Sequence, residues 1–339
     1  MSLKFNNFKL LIMTTLSMSI IMSLSFSSWL MMWLSMEINM MSFIPLMINF
    51  QHMKSSESMM LYYIIQSFSS MNFIFFMLLA TLKMTWFQLN VSHLMSIINL
   101  VLLTKLGAAP FYFWLPQVMK ELNWTTNFIL LTWQKIIPMM LLNYCLSMSM
   151  LMISIVMSAV IGSLKGLNQT NLKTIMAFSS ISHMSWLMAA LSLNLNTWLF
   201  YFLNYFLLNF LMCKKFFILN LNSLNNLFMS NFNNQTKFIL ISNFFSMGGL
   251  PPFFGFFPKW MVITNLLNTS NFFITFILIN SALMNIFFYL RIMTPMMLFS
   301  QPQFKFFNIN KINSFKMNKY FYLTYFSNFC LIMITFLWN

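Results

Sequence analysis

Lys105-Leu106-Gly107-Ala108-Ala109-Pro110-Phe111, closed by Pro116, and Gly248-Gly249-Leu250-Pro251-Pro252-Phe253, closed by Pro258 and followed by Lys259, are the stretches on which the fold turns. Both read glycine, two residues, proline, phenylalanine, four residues, proline, and they stand 142 residues apart. Glycine and proline weaken a helix interior, proline by about 3 kcal/mol. Each stretch nevertheless interrupts a long apolar run. Inside a bilayer such a break persists only where the freed backbone groups are buried in protein or face water. Matched breaks at Gly107/Pro110 and Gly249/Pro251/Pro252 are the mark of an inverted-repeat transporter with its ion site at the breaks.

Around the breaks the chain is built for lipid. Of 339 residues 60% are hydrophobic and only 6% are Asp, Glu, Lys or Arg, against about 25% charged in a soluble domain. The apolar runs are long and continuous, as in Asn271 to Leu290, rather than the short alternating segments of a transmembrane barrel. At about 20 residues per crossing, the pattern predicts an all-α polytopic protein of about eleven transmembrane helices. The expected spans are 8–25, 28–50, 58–80, 90–106, 124–144, 148–164, 172–191, 196–213, 237–250, 271–293 and 319–338. The fourth and ninth are discontinuous, resuming over 110–119 and 252–267. This gives one membrane domain, 1–339, as two inverted five-helix repeats with approximate halves 1–145 and 146–300, plus a last helix at 319–338. The run behind Lys4 and Lys9 lacks a small-residue cleavage site and reads as the first span. The polar segments 220–236 and 300–318 read as loops.

Charge orients this topology. Lys4, Lys9, Lys54, Lys120, Lys165, Lys173, Lys214, Lys215, Lys237, Arg291, Lys305, Lys311, Lys316 and Lys319 map to one side and only Lys83 to the other. That asymmetry places the amino terminus on the positively charged inner side. The net charge of +15 is then accounted for by solvated loops beside anionic lipid and requires no nucleic-acid partner. Three cysteines, Cys145, Cys213 and Cys330, are far apart, so no metal or iron–sulfur site is expected. There is also no glycine-rich nucleotide loop. The 37 Met, 43 Phe and single arginine fit an AT-rich mitochondrial gene whose code adds a codon for Met.

Lys105, Lys135 and Lys259 remain at membrane depth, where a lysine costs on the order of 3 kcal/mol and is functional by default. Burial disfavours the ammonium and a nearby carboxylate favours it, which is what a proton relay needs. The expected carboxylate is Glu37, mid-span; the alternative for the pair is a structural tie between helices. Glu57 and Glu121 sit beside Lys54 and Lys120 near helix ends and read as solvated pairs. Lys135 precedes Pro138, which is expected to loosen the helix and admit water; the alternative is a lysine snorkelling to an interface. His183, among Ser179, Ser180 and Ser182, is either a proton shuttle or a neutral interior group. His52 and His93 read as interfacial.

Taken together, Trp33 to Pro45 with Glu37, Lys105 to Trp114, Trp133-Gln134-Lys135, Gly166 to Thr170, Ala177 to Met184, and Gly248 to Trp260 resemble the chain 2 family of mitochondrial NADH–ubiquinone oxidoreductase, from about residue 30 to 265. That family is similar to bacterial cation/proton antiporter subunits, with three amino-terminal helices fewer. The resemblance implies a membrane-arm subunit of complex I in the mitochondrial inner membrane, its amino terminus in the matrix. The implied partners are other membrane-arm subunits and lipid such as cardiolipin. NADH, FMN, iron–sulfur clusters and ubiquinone are implied for the whole complex, with none bound by this chain. The family's acid–lysine pair maps onto Glu37 and Lys105, its central lysine onto Lys135 and its distal lysine onto Lys259. Tyr112 stands where many relatives have histidine, so water or His183 is expected to substitute there. The expected mechanism moves a proton from Lys105 to Lys135 when Glu37 withdraws, then by way of His183 to Lys259. The rivals are a stand-alone cation/proton antiporter and a purely structural subunit. Quinone chemistry finds no Tyr/His cluster at a matrix-side helix end.

Overall fold

A computed structural model describes residues 2–48, 54–81, 91–229 and 234–298. Among these residues fourteen α-helices follow one another. They are α1 (Ser2–Ser25), α2 (Trp29–Met47), α3 (Lys54–Thr81), α4 (Val91–Leu106), α5 (Trp114–Glu121), α6 (Trp124–Leu131) and α7 (Trp133–Tyr144). Then come α8 (Met148–Gly166), α9 (Leu172–Leu193), α10 (Leu195–Ile218), α11 (Leu224–Met229), α12 (Asn234–Gly248), α13 (Phe256–Asn268) and α14 (Phe272–Leu298). Six stretches are long and apolar enough to cross a bilayer: Asn7–Ser25, Trp29–Met47, Lys54–Ala80, Met148–Gly166, Leu172–Leu193 and Phe272–Met297. The span expected at 319–338, and with it Lys83, Lys305, Lys311, Lys316, Lys319, His52 and Cys330, lies outside the described residues.

The repeat extends well beyond its two motifs. Shifted by 142 residues, α1, α2, α3, α4, α5 and the α6–α7 pair fall on α8, α9, α10, α12, α13 and α14. Packing repeats with the sequence order. The contacts α2–α3, α3–α4, α3–α5 and α4–α7 recur as α9–α10, α10–α12, α10–α13 and α12–α14. Compact units divide at Ile161/Gly162, within α8. In the second unit α9 is buried along its whole apolar length. Its Ser179, Ser180, Ser182 and Ser185 hydroxyls donate to carbonyls three residues back, so they enter the core without orphaned donors. Gly162 meets α9 where a Cβ would lie 2.6 Å from the Ser182 nitrogen, a small-residue contact of the kind that lets membrane helices approach closely.

Three expectations need correction. The span at 124–144 is two helices, parted at Thr132 rather than loosened at Pro138 alone. The Thr132 hydroxyl donates to the Phe128 carbonyl at 2.7 Å, its N–H is shared between Phe128 and Ile129 at 3.1 and 3.3 Å, and the Lys135 N–H turns to the Thr132 carbonyl, three residues back, at 3.2 Å. Back-bonding of this kind bends helices, and Pro138, inside α7, removes the bond that the Gln134 carbonyl would accept. The segment 220–236 contains α11 and the start of α12, because Leu221, Leu224 and Leu227 give it a buried apolar edge. Its entrance is tied to α9 by the Leu224 N–H to the Thr170 carbonyl and the Leu172 N–H to the Asn222 carbonyl, both 3.0 Å. The helices after the two breaks start at Trp114 and Phe256, four residues later than expected, because the prolines sit in the turns themselves.

Candidate functional site

The two breaks share a common backbone hydrogen-bond pattern, although the Ala109–Pro110 peptide of the first is cis. Each turn has seven residues, 107–113 and 249–255. Gly107 and Gly249 hold φ of 66° and 77°, the left-handed conformation that glycine adopts without a Cβ penalty. In the first break the Gly107, Ala108, Phe111 and Leu115 amides bond to the carbonyls of Thr104, Leu103, Ala108 and Tyr112. In the second, Gly249, Leu250, Phe253 and Phe257 bond to Ser246, Phe245, Leu250 and Phe254. All four bonds recur at the same offset. The first two of each set make a Schellman motif, which closes a helix by satisfying its last carbonyls.

Side chains finish what the motif leaves open. Trp114 Nε1 donates to the Thr104 carbonyl at 3.0 Å and Gln66 Nε2, from α3, to the Lys105 carbonyl at 3.2 Å. At the second break Lys259 Nζ donates to the Gly248 carbonyl at 2.7 Å, an ammonium at the negative end of α12. Gly249 is required twice over, since a Cβ there would stand 2.9 Å from both Cδ and Nζ of Lys259. Gly249→Ala is expected to strain the turn by about 1 kcal/mol and to push Lys259 off its carbonyl. Gly107→Ala meets Leu115 and Trp114 side chains instead and spares every lysine. A larger fall in proton transport for Gly249→Ala than for Gly107→Ala, at comparable thermal stability, would check this.

In the first unit Lys105 and Lys135 are 7% and 2% exposed, as membrane depth requires. Lys105 Nζ lies 3.5 Å from Met36 Sδ. Glu37 is the residue next to Met36 on α2, yet among the described residues no ion pair within 4.0 Å joins it to Lys105, and Glu37 Oε1 is buried without a hydrogen-bond partner. The pair is therefore close enough to feel each other's charge and open enough to close further. Lys135 stands in the first turn of α7, directly after the Thr132 irregularity. Beside it Gln134 Nε2 donates to Asn39 Oδ1 at 2.9 Å and the Tyr62 hydroxyl donates to Gln134 Oε1 at 3.2 Å. Tyr112 is buried within the first turn with its ring stacked on Phe113 at 4.2 Å.

In the second unit His183 lies midway along α9, 6% exposed. Its Nδ1 shares a 2.9 Å hydrogen bond with the Tyr201 hydroxyl, and the Tyr205 ring lies 5.4 Å away. Lys259 is 4% exposed, and its ammonium stands 5.9 Å from the ring centre of Trp186, one turn beyond His183. Glu37 and Lys105 thus lie in one unit, out of direct contact, and His183 and Lys259 lie around one helix in the other. Lys215 departs from its expected place on a solvated loop. It is 7% exposed and reaches the Ile239 carbonyl of α12 at 3.4 Å, whereas Lys214 lies over the Phe210 ring. Adjacent residues on a helix face directions about 100° apart, so one enters the core and the other leaves it. Lys54 and Glu57 are exposed at the start of α3. Tyr62, Asn39, Tyr201 and Lys215 are the buried polar partners that the charge pattern did not single out.

Residues 27–285 match the family described as NADH:quinone oxidoreductase/Mrp antiporter, transmembrane. The chain is 38% identical over 291 residues to NADH-ubiquinone oxidoreductase chain 2 of Locusta migratoria, covering 85% of this chain and 84% of that one. It is 43% identical over 280 residues to the chain of the same name from Anopheles gambiae, covering 80% and 81%. The fold is similar to a chain of respiratory complex I from Thermus thermophilus, with TM-score 0.77 at 19% identity over 88% of this chain and 72% of the other. It is also similar to a chain of the Mrp complex from Dietzia, with TM-score 0.76 at 13% identity over 84% of this chain. The chain spans 59% of the length of that Mrp chain.

Proposed function

The chain belongs to the NADH:quinone oxidoreductase/Mrp antiporter family, and from that membership we propose that Glu37, Lys105, Lys135, His183 and Lys259 carry the proton of an NADH-driven pump. The chain is a membrane subunit of the proton-translocating NADH:ubiquinone oxidoreductase. Its setting is the mitochondrial inner membrane, with the amino terminus towards the matrix, other membrane-arm subunits as neighbours and anionic lipid such as cardiolipin against the lysine-rich side. NADH, FMN, iron–sulfur clusters and ubiquinone act elsewhere in that complex. Among the described residues no three His, Cys, Asp or Glu side chains gather to ligate a metal or cluster. No step runs through a redox centre.

The observation that carries the reading is the Lys105 ammonium, 3.5 Å from Sδ of Met36, the residue next to Glu37, whose buried Oε1 has no hydrogen-bond partner among the described residues. A buried ammonium is held by a nearby carboxylate and abandoned when the carboxylate withdraws. Approach of Glu37 loads Lys105; withdrawal releases the proton towards Lys135. In the second unit the proton passes by way of His183 to Lys259, whose contact with the Gly248 carbonyl ties its charge to the second break. Redox energy from the rest of the complex moves Glu37. A fixed structural pair would need direct contact, because an unpartnered buried carboxylate oxygen is costly.

Glu37→Gln is expected to lower the protons translocated per NADH oxidised by the assembled complex in sealed vesicles. An unchanged ratio would remove Glu37 from the relay and with it the coupling step.

A further inference from the structure

The helices that bear the lysines of the first unit are joined by side chains that carry no charge. Asn39 lies two residues after Glu37 on α2, Gln134 directly before Lys135 on α7, and Tyr62 on α3 one turn before Gln66, which caps the Lys105 carbonyl. The hydrogen bonds Tyr62 to Gln134 and Gln134 to Asn39 link those helices in one line. The Tyr62 ring is 2% exposed and wedged edge-on between Phe43, at 5.2 Å, and Trp114, at 5.9 Å. Its ring is fixed and its hydroxyl hydrogen is the part free to turn.

That single hydrogen has two claimants. A phenol donates one hydrogen bond at a time. Gln134 Oε1 receives it here at 3.2 Å. Glu37, on the same helix as Asn39 and as Phe43 that packs on the Tyr62 ring, has a buried carboxylate oxygen without a hydrogen-bond partner among the described residues, and a charged acceptor draws a donor more strongly than a neutral amide does.

Resting on the relay proposed above, we infer that Tyr62, through Gln134, is the positioning residue that passes the charge state of Glu37 and Lys105 to Lys135. While Lys105 is charged it supports Glu37, and Tyr62 stays on Gln134, holding the first turn of α7 against Asn39. When Lys105 gives up its proton, Glu37 takes the Tyr62 hydrogen. Gln134 is released, and the turn that bears Lys135, already irregular at Thr132, is free to shift. Tyr62 orders the transfer and carries no proton itself.

The test uses the whole complex in sealed vesicles, reading protons translocated per NADH oxidised beside assembly on a native gel. Tyr62→Phe keeps the ring between Phe43 and Trp114 and removes only the hydroxyl; it is expected to assemble and to lower the ratio about as far as Lys135→Met. Gln134→Leu is expected to do the same, and the double variant to do no more than either alone, because all three interrupt one line. A ring that mattered only for packing would leave Tyr62→Phe at the unsubstituted ratio, which overturns the inference. So would an assembled Gln134→Leu complex with an undiminished ratio, even were Tyr62→Phe to fail in assembly. Lys135→Met separates the two readings: if it lowers the ratio and Tyr62→Phe does not, the bridge fails alone; if neither does, the relay fails with it.

Discussion

Lys135→Met is expected to yield a complex that assembles and moves fewer protons per NADH, short by the whole share this chain contributes. The side chain is 2% exposed, so substitution by a shorter residue would confound transport with folding. Methionine has nearly the same length and fills irregular apolar space, leaving neither cavity nor strain. Removing an ammonium from membrane depth also relieves about 3 kcal/mol of insertion cost, so assembly should not suffer. What disappears is the one lysine of α7, in the turn that Thr132 loosens. Lys135→Arg should fail equally, since a guanidinium does not release its proton. The check is proton uptake against NADH consumption in sealed vesicles, with the native-gel band as the measure of assembly. An unaltered ratio in a fully assembled complex would take Lys135 out of the pathway.

Gly255→Ala should be the more damaging change to the fold, although Gly255 bears no chemistry. Its φ of −63° suits any residue; what it lacks is room. A Cβ would fall 1.7 Å from the Ser246 carbonyl oxygen and 2.7 Å from its carbon. Both atoms belong to the backbone of α12, so no side-chain tail can swing aside. The start of α13 must lift away from α12, and Lys259, in the first turn of α13, is carried off the Gly248 carbonyl with it. Overpacking a tight core typically costs 1–3 kcal/mol, and a rigid backbone collision of this depth should exceed about 3 kcal/mol. The expected result is loss of the chain from the assembled complex on a native gel. Full assembly with normal thermal stability would show that the second break can open at little cost.

How far these features were legible depends on what kind of signal each left. The spans stood out because apolar length is a strong one-dimensional signal, and the breaks because glycine and proline punctuate it. The division at Thr132 left no such mark. Threonine is common in membrane helices, and only its hydroxyl bond to the Phe128 carbonyl turns it into a breaker. Lys215 was hidden by its neighbour, since counting charges by loop assigns Lys214 and Lys215 together while helical rotation separates them. The line of Asn39, Gln134 and Tyr62 was lost for the opposite reason. Neutral polar residues abound in this Asn- and Ser-rich chain, and three of them on α2, α7 and α3 form a pattern only in space. Glu37, Lys105, Lys135 and Lys259 were visible because a charge in so apolar a sequence is conspicuous without any structure.

The matched turns carry unmatched charges. Displaced by 142 residues, Lys105 falls on Met247 and Lys259 on Gln117, although the four backbone bonds around them coincide. The turn recurs, and the charges stand at different positions around each copy. The turn is thus a socket and the lysine its fitting, with one socket filled from the helix that enters it and the other from the helix that leaves. One backbone part therefore does not dictate where its charge stands: the same seven-residue turn accepts a lysine before it in one copy and a lysine after it in the other.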